Sequence, residues 1–236
     1  MSSEILVIGD IHQKLNLLKN VLPDWPGKVT FLGDYFDDFN DNLYEVTNTA
    51  FWLRDNIDNP NYTFLYGNHD FQYMVPKGSL YCSGFATWKY EAIEKIITKH
   101  IWDKINFFLD INDIWFSHAG VTSFWFSHPI HGITVEHIKN TIQDARNSIH
   151  SDPLKLGCLW AADRLRGGRY SKGGILWNDW RNSEYIPNIM QVMGHTPHDK
   201  VQYKHKNNSS LINIDTHLNQ VIILNTDTKE YQIVET

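Results

Sequence analysis

Apolar residues follow two rhythms along the chain. Ile5 to Ile8 is an unbroken apolar run rich in β-branched residues, and Val29 to Leu32, Tyr62 to Tyr66 and Ile114 to Ser117 repeat the arrangement. Such short continuous runs predict buried strands. The runs stop at Gly9-Asp10, Gly33-Asp34, Gly67-Asn68 and His118. Four longer stretches read as amphipathic helices: Leu15 to Leu22, Leu43 to Arg54, Trp88 to His100 and Val135 to His150. The second carries Leu43, Val46, Ala50 and Leu53 at helical spacing. From Gln191 onward the pattern shortens to Gln191 to Met193, Leu211 to Ile214, Val221 to Leu224 and Tyr231 to Val234, joined by Asn, Asp and Thr turns, which predicts a β-meander. Strand–helix alternation followed by a mostly antiparallel half predicts an α/β fold of two mixed sheets packed face to face with helices outside.

Composition narrows the picture. A chain of 236 residues with 42% hydrophobic content suits one α/β domain over residues 1–236 better than two small ones. The net charge of −6 argues against broad attraction to duplex nucleic acid or to an anionic membrane. Cys82 and Cys158 are too few for a disulfide framework, which favours a reducing compartment, and both read as small buried apolar side chains. Met1-Ser2-Ser3-Glu4 lacks the basic flank of a signal peptide, and no apolar run approaches the roughly 20 residues of a spanning helix, so a cytoplasmic protein is expected. The stretch from Gly157 to Gly174 is the least regular, with Arg164, Arg166, Arg169 and Lys172 among glycines.

The candidate chemistry sits just past the strand ends, where open α/β sheets form their ligand crevices. Asp10 and His12 are spaced i, i+2, which in an extended strand end turns both side chains to one side, although alone they would also read as a turn-capping Asp beside a partly exposed His. Asp34 follows the second strand in the equivalent place, where a carboxylate can bridge two cations because each oxygen offers lone pairs. Asn68 adds a neutral carbonyl oxygen, which preserves the positive charge that polarises a substrate. His118 and His195 each follow an apolar stretch and are flanked by Gly or Ala, leaving room for the backbone to approach a metal. Singly each would pass as an ordinary core or surface histidine. The ordered series instead points to a two-metal site for phosphate esters, with ions roughly 3.5–4 Å apart. His69, beside Asn68, is the natural general acid for the departing oxygen, and Asp37 is the carboxylate that would orient it and raise its pKa.

The motifs Gly9-Asp10-Ile11-His12, Gly33-Asp34-Tyr35-Phe36-Asp37, Gly67-Asn68-His69-Asp70, His118-Ala119-Gly120, Leu176-Trp177-Asn178-Asp179 and Gly194-His195-Thr196-Pro197 resemble those of the calcineurin-like metallophosphoesterase superfamily. The likeness is strongest to its phosphoprotein phosphatase branch, which includes small bacterial and phage phosphatases and the symmetric diadenosine tetraphosphate hydrolases. The resemblance implies a four-layer α/β/β/α sandwich. It also implies two divalent ions, Mn²⁺ foremost with Fe or Zn²⁺ as alternatives. Asp10, His12 and Asp34 would hold one ion, and Asp34, Asn68, His118 and His195 the other, with a metal-bridging hydroxide as nucleophile. It supports Asp37–His69 as the proton-donating dyad. Phosphodiesterase members usually end in Gly-His-x-His, whereas this chain has Pro197 at the last place, which favours the phosphatase branch.

Departures from the family pattern bear on the substrate. The arginine that usually follows the motif's second aspartate is Asp38 here, and a carboxylate repels a phosphate group by about 3 kcal/mol per unit of phosphate charge at about 6 Å with an effective dielectric constant of about 20. Gln13 replaces a glycine, and Tyr66 stands where some small phosphatases carry arginine. Arg164, Arg166, Arg169 and Arg181 are the available phosphate-gripping residues, with a solvated basic loop as the other reading. Tyr35, Phe36, Phe71 and Tyr73, beside the metal motifs, could stack on a base or a tyrosyl ring. The expected activity is hydrolysis of phosphomonoesters, with protein Ser/Thr phosphate as the substrate the branch suggests. The alternative is a nucleotide or RNA-end phosphodiesterase or pyrophosphatase, acting on dinucleoside polyphosphates or 2′,3′-cyclic phosphates. A non-catalytic scaffold of the same fold is a third reading, which the complete ligand set disfavours.

Overall fold

The structure is a computed structural model and describes residues 3–128, 132–149 and 156–236. The first three apolar runs form β1 (Glu4–Ile8), β2 (Lys28–Phe31) and β3 (Tyr62–Phe64), which lie parallel. β9 (Gln220–Asn225) pairs antiparallel with β1, and β10 (Tyr231–Glu235) pairs antiparallel with β9, giving a sheet of order β10-β9-β1-β2-β3. The second sheet holds β4 (Leu109–Ile111), β5 (Ile114–Phe116), β6 (Met190–Met193), β7 (Gln202–Lys206) and β8 (Ser209–Asn213) in the order β4-β5-β6-β8-β7. Its three inner strands are parallel and its two edges antiparallel.

Period-two alternation decides which side chains go where. Ile5 and Val7 of β1 join Ile114, Phe116, Met190, Val192, Ile212, Ile222 and Leu224 between the sheets, whereas Leu6 and Ile8 belong to the core under the helices with Val46, Ala50 and Leu53. Burial of each such side chain contributes roughly 1.5–3 kcal/mol. The helices are α1 (Leu15–Leu18), α2 (Leu43–Asn56), α3 (Asn68–Met74), α4 (Thr87–Glu94), α5 (Lys99–Lys104), α6 (Ser123–Phe126), α7 (Val135–Ser148) and α8 (Gly157–Trp160). The result is the α/β/β/α sandwich of two mixed sheets flanked by helices. α2 starts at Asn42, whose side chain accepts the N–H groups of Tyr44 and Glu45 while Glu45 reaches back to the Asn42 N–H.

Three expectations require correction. The helix from Leu15 ends at Leu18 and gives way to turns in which the Asn20 and Val21 N–H groups donate to Leu17 and Leu18 O, with Pro23 disfavouring helical geometry at Leu22. The helix expected from Trp88 to His100 is two, split at the β-branched run Ile96-Ile97-Thr98, where Thr98 is extended and Ile97 enters the core. His150 lies outside the described residues. The tail is not a meander: β6 and β8 are parallel neighbours, and β9 crosses to the other sheet. Both β6 and β8 are buried along their whole length, Gln191, Ser209, Ser210 and Asn213 included, as central strands are. The unexpected β7, Gln202-Tyr203-Lys204-His205-Lys206, is a polar edge strand whose lysines discourage pairing with another chain.

Candidate metal centre

The loops after β1, β2, β3, β5 and β6 converge at one end of the sandwich. Several residues that carry chemistry sit in left-handed backbone conformations: His12 (φ 43°), Asp34 (φ 51°), Asp37 (φ 68°) and His195 (φ 69°). Non-glycine residues rarely adopt that region, and such strain concentrates at functional sites. Asp10 and His12 therefore face one place by way of a tight turn, and not through the strand alternation expected from their spacing. The turn is tied down by the Ile11 and His12 N–H groups, which donate to Asp34 O at 3.0 and 2.7 Å.

Asp70 sutures two of these loops. Its buried carboxylate accepts the backbone N–H of Asp34, Tyr35 and Gly67, each at 2.8 Å. Glycine is required where the loops touch: a Cβ on Gly33, which is left-handed at φ 106°, would stand 2.3 Å from the Gly67 nitrogen, and one on Gly67 would stand 2.0 Å from Asp34 Oδ1.

Asp34 occupies the middle. Its Oδ1 accepts the His69 N–H at 2.9 Å, leaving Oδ2 3.4 Å from His118 Nε2 and 3.7 Å from His12 Nε2. Donor atoms of Asp10, His12 and Asp34 lie within 4.8 Å of one another, and so do those of Asp34, His118 and His195. Asn68 completes the second group with Oδ1 3.0 Å from His118 Nε2, its amide turned that way by the contact of Nδ2 with Cys82 Sγ at 3.6 Å.

Hydrogen bonding alone does not satisfy this cluster. His118 Nδ1 donates to Leu32 O at 2.9 Å, so in the neutral ring Nε2 carries a lone pair. Around that lone pair stand Asn68 Oδ1, Asp34 Oδ2 and His195 Nδ1, the last at 3.1 Å. His12 is held alike, with Nδ1 3.0 Å from the carbonyls of Phe36 and Asp37 and Nε2 left toward Asp34. Carbonyl, carboxylate and neutral imidazole donors converging in this way fit divalent cations.

Electrostatics agrees. Burial, with the Asp215 and Asp34 carboxylates nearby, pushes Asp10 well above the usual carboxylate range, a repulsion that a cation relieves. Burial would also raise Asp34, but the neighbouring His118 and His69 outweigh it and hold the carboxyl well below that range. Burial lowers His12, and burial with the adjacent His118 and Arg166 lowers His195 strongly, which keeps both rings neutral as ligands require.

His69 stands beside this group, its ring 5.1 Å from that of His12 and edge-on to it. Nδ1 lies 3.0 Å from Asp37 Oδ2, as the sequence suggested. Burial opposes protonation of the imidazole, yet the Asp34 charge, Cys82 and the Asp37 hydrogen bond together hold its pKa well above the usual histidine range. Asp37 is more heavily partnered than the sequence suggested. It also accepts from Gln72 Nε2, Tyr73 OH and Lys89 Nζ, and Lys89 pairs with Asp41 Oδ2 at 2.6 Å. Lys89 was legible only as a charge in register with the buried Ala92 and Ile93, on the apolar face of α4.

The remaining candidates divide. Arg166 reaches the centre, donating from Nη2 to His195 O at 2.9 Å. Arg181 is engaged elsewhere, forked onto Asp179 at 2.8 and 3.0 Å, and Arg169 lies over the Tyr170 ring at 5.3 Å, lining a separate cavity of about 410 Å³ with Lys77 and Trp160. Arg164 is exposed. Tyr35, Phe36, Phe71 and Tyr73 are buried core, so none of them is free to stack on a substrate. Cys158 is buried as expected, but Cys82 is half-buried beside His69. Asn178 and Asp179 act on the backbone, accepting the N–H of Gly173 and Arg181. A cavity of about 670 Å³ lined by Tyr73, Tyr90, Trp102 and Arg146 touches none of the ligand residues, and the convergence of donor atoms locates the chemistry better than volume does. No helix among the described residues is long and apolar enough to cross a membrane.

Comparison with known proteins gives the family. The family model of the calcineurin-like phosphoesterases matches residues 3–222, and the chain belongs to that family. It is a phosphoesterase hydrolase by that membership. No curated protein matches the sequence. Among solved structures, the cold-active protein-tyrosine phosphatase of a psychrophilic Shewanella species superposes with a TM-score of 0.56 at 18% identity, over 100% of this chain and 81% of that one. A protein serine/threonine phosphatase of Saccharomyces cerevisiae, with similarity to human phosphatase PP5, gives 0.53 at 14% identity, over 99% and 80%. At these identities the likeness speaks to the fold.

Proposed function

We propose that residues 1–236 form one domain that hydrolyses phosphomonoesters, with phosphorylated Ser or Thr of proteins as the substrate class, at a pair of divalent ions, Mn²⁺ foremost. Asp10, His12 and Asp34 would hold one ion and Asp34, Asn68, His118 and His195 the other. The observation that carries this reading is the position of Asp34 Oδ2 between the two donor groups. Bound there, the ions would polarise the phosphate oxygens and activate water.

The chain's own groups divide the remaining work. His69 shows Nδ1 to Asp37, so the proton on Nε2 is the one available to the departing alkoxide. Asp37 fixes the tautomer and favours the charged ring. Arg166, whose Nη2 marks the edge of the centre at His195 O, is placed to grip a phosphate oxygen with its remaining donors. That both similar structures above are protein phosphatases supports a protein substrate.

The test is hydrolysis of p-nitrophenyl phosphate and of its bis-ester by metal-stripped protein with and without Mn²⁺, with His69→Asn as control. Mn²⁺-dependent turnover of the monoester is expected, reduced about 10²–10⁴-fold in His69→Asn. A preference for the bis-ester would overturn the monoester assignment in favour of nucleotide or RNA phosphodiesters.

A further inference from the structure

The loop after α3 brings a thiol up to the acid. Cys82 Sγ lies 3.7 Å from His69 Nδ1, which is 3.0 Å from Asp37 Oδ2, and donor atoms of the three residues fall within 4.8 Å of one another. The arrangement is held by its surroundings. Gln72 donates to Asp37 Oδ2 and accepts the Cys82 N–H at 3.0 Å, so one buried side chain fixes both the carboxylate and the backbone that carries the thiol. Gly84, left-handed at φ 92°, presses the same loop against Asp37 so closely that a Cβ would come within 2.8 Å of Asp37 Cβ.

Thiolate, imidazole and carboxylate together form a zinc donor set. Bonds of about 2.3 Å to sulfur and about 2.0–2.1 Å to nitrogen and oxygen, at tetrahedral angles, separate sulfur from nitrogen by about 3.5 Å and nitrogen from oxygen by about 3.3 Å. The observed 3.7 and 3.0 Å lie within a few tenths of an ångström of those separations. Lys89 does not block a cation by charge, because its one ammonium is shared between the Asp37 and Asp41 carboxylates.

We propose that Asp37, His69 and Cys82 form a third, inhibitory cation site that takes zinc-like ions in preference to Mn²⁺, the thiol supplying the selectivity. The inhibitory part rests on the reading of His69 as general acid. An ion on Nδ1 replaces the proton shared with Asp37, and the protons of the thiol and of the imidazolium leave to solvent. The ring then keeps only its Nε2 proton, whose departure would leave an imidazolate, so it no longer serves as an acid.

Co²⁺ is the probe, added to the Mn²⁺-loaded full chain. A near-ultraviolet thiolate-to-cobalt charge-transfer band is expected, absent in Cys82→Ser and Cys82→Ala and retained in Cys158→Ser. The dinuclear donor set contains no sulfur, and burial pushes the Cys158 thiol up to about 12. Zn²⁺ titrated against p-nitrophenyl phosphate hydrolysis should need at least about tenfold higher concentration for half-inhibition in the Cys82 variants than in the parent. Thermal melts confirm that both variants are folded. Absence of the band, or equal zinc sensitivity in parent and variants, overturns the proposal. A Cys82-dependent band in a chain that hydrolyses neither ester supports the cation site and sinks the catalytic reading instead.

Discussion

Gly194→Ala probes Asp10 without altering any donor. The backbone at Gly194 lies outside the left-handed region, so alanine is tolerated there conformationally. Its Cβ, however, would stand 2.1 Å from Asp10 Oδ1 and 3.3 Å from Asp10 Cγ. Cβ atoms do not approach heavy atoms closer than 3.0 Å, so the oxygen must retreat by at least about 0.9 Å. Metal–ligand distances tolerate only about 0.2 Å. The retreat also breaks the bonds from His195 N to both Asp10 oxygens, at 3.1 Å each, and so loosens a residue of the second donor group. Disturbing a residue that merely orients a ligand costs about 10–100-fold in affinity, and displacing the ligand costs at least the upper figure, about 100-fold. The overpacking itself costs about 1–3 kcal/mol. Mn²⁺ content after dialysis, titrated affinity, and kcat/KM on p-nitrophenyl phosphate report the outcome. One weakened site, one retained site and a collapse of kcat/KM are expected, with the metal-free melting temperature lowered by about 2–12 °C. Two equivalents of tightly bound Mn²⁺ with kcat/KM within about twofold of the parent would refute Asp10 as a ligand.

Asp70→Asn should lower the melting temperature, because an amide offers one acceptor oxygen where the carboxylate receives three buried N–H groups, and each orphaned donor costs about 1–3 kcal/mol, or about 2–4 °C per kcal/mol at this size. An unchanged melt would show that the loops after β2 and β3 are held by something else. Arg166→Ala should raise KM for p-nitrophenyl phosphate by about tenfold or more, as expected for a lost charged hydrogen bond, whereas Arg181→Ala should leave KM unaltered because its fork is already spent on Asp179. The reverse ranking would reassign the phosphate grip. In the metal-free protein, the raised pKa of Asp10 means that above the unfolded carboxylate value of about 3.9 the native state keeps a proton which the unfolded chain has lost. Asp10's contribution to stability should therefore fall as pH rises from about 4 until its native pKa is passed, opposed up to about 6.5 by His12 and His195, whose lowered pKa values give the opposite slope. Asp70, raised likewise by burial and then Asp34, contributes in the same direction with or without metal. Urea melts across that range in chelator should show a steeper decline than melts in saturating Mn²⁺, and identical slopes would count against metal at Asp10.

Much of the centre was legible because its chemistry is local. Asp10, Asp34, Asn68 and His195 each follow a glycine at the end of a short apolar run, and that glycine marks a backbone that must come close to another. What the residues do to one another was less legible. Asp70 was visible in its motif, but its role depends on N–H groups 35 and 36 residues away, and Lys89 acts on a carboxylate 52 residues earlier. Among four arginines of equal chemistry, only tertiary folding selects Arg166. The tail was misread for the same reason: β6 to β8 and β1 to β9 are non-local pairings, and periodicity within each segment does not say which neighbour it will take.

The seating of β1 between β2 and β9 has a bearing on how the chain is made. Its second edge is covered by Gln220–Asn225, in register from Glu4 opposite Asn225 to Val7 opposite Ile222, with Thr226 N–H closing onto Ser3 O at 2.8 Å. On a ribosome adding about 5–20 residues per second, β1 waits on the order of 10–40 s for that partner. Throughout that interval the nascent chain offers an unpaired, apolar strand edge with Ile5 and Val7 uncovered. Expression yield should depend on chaperone supply more than the finished molecule's packing would suggest, and any nascent fragment released before Gln220 should aggregate through that edge.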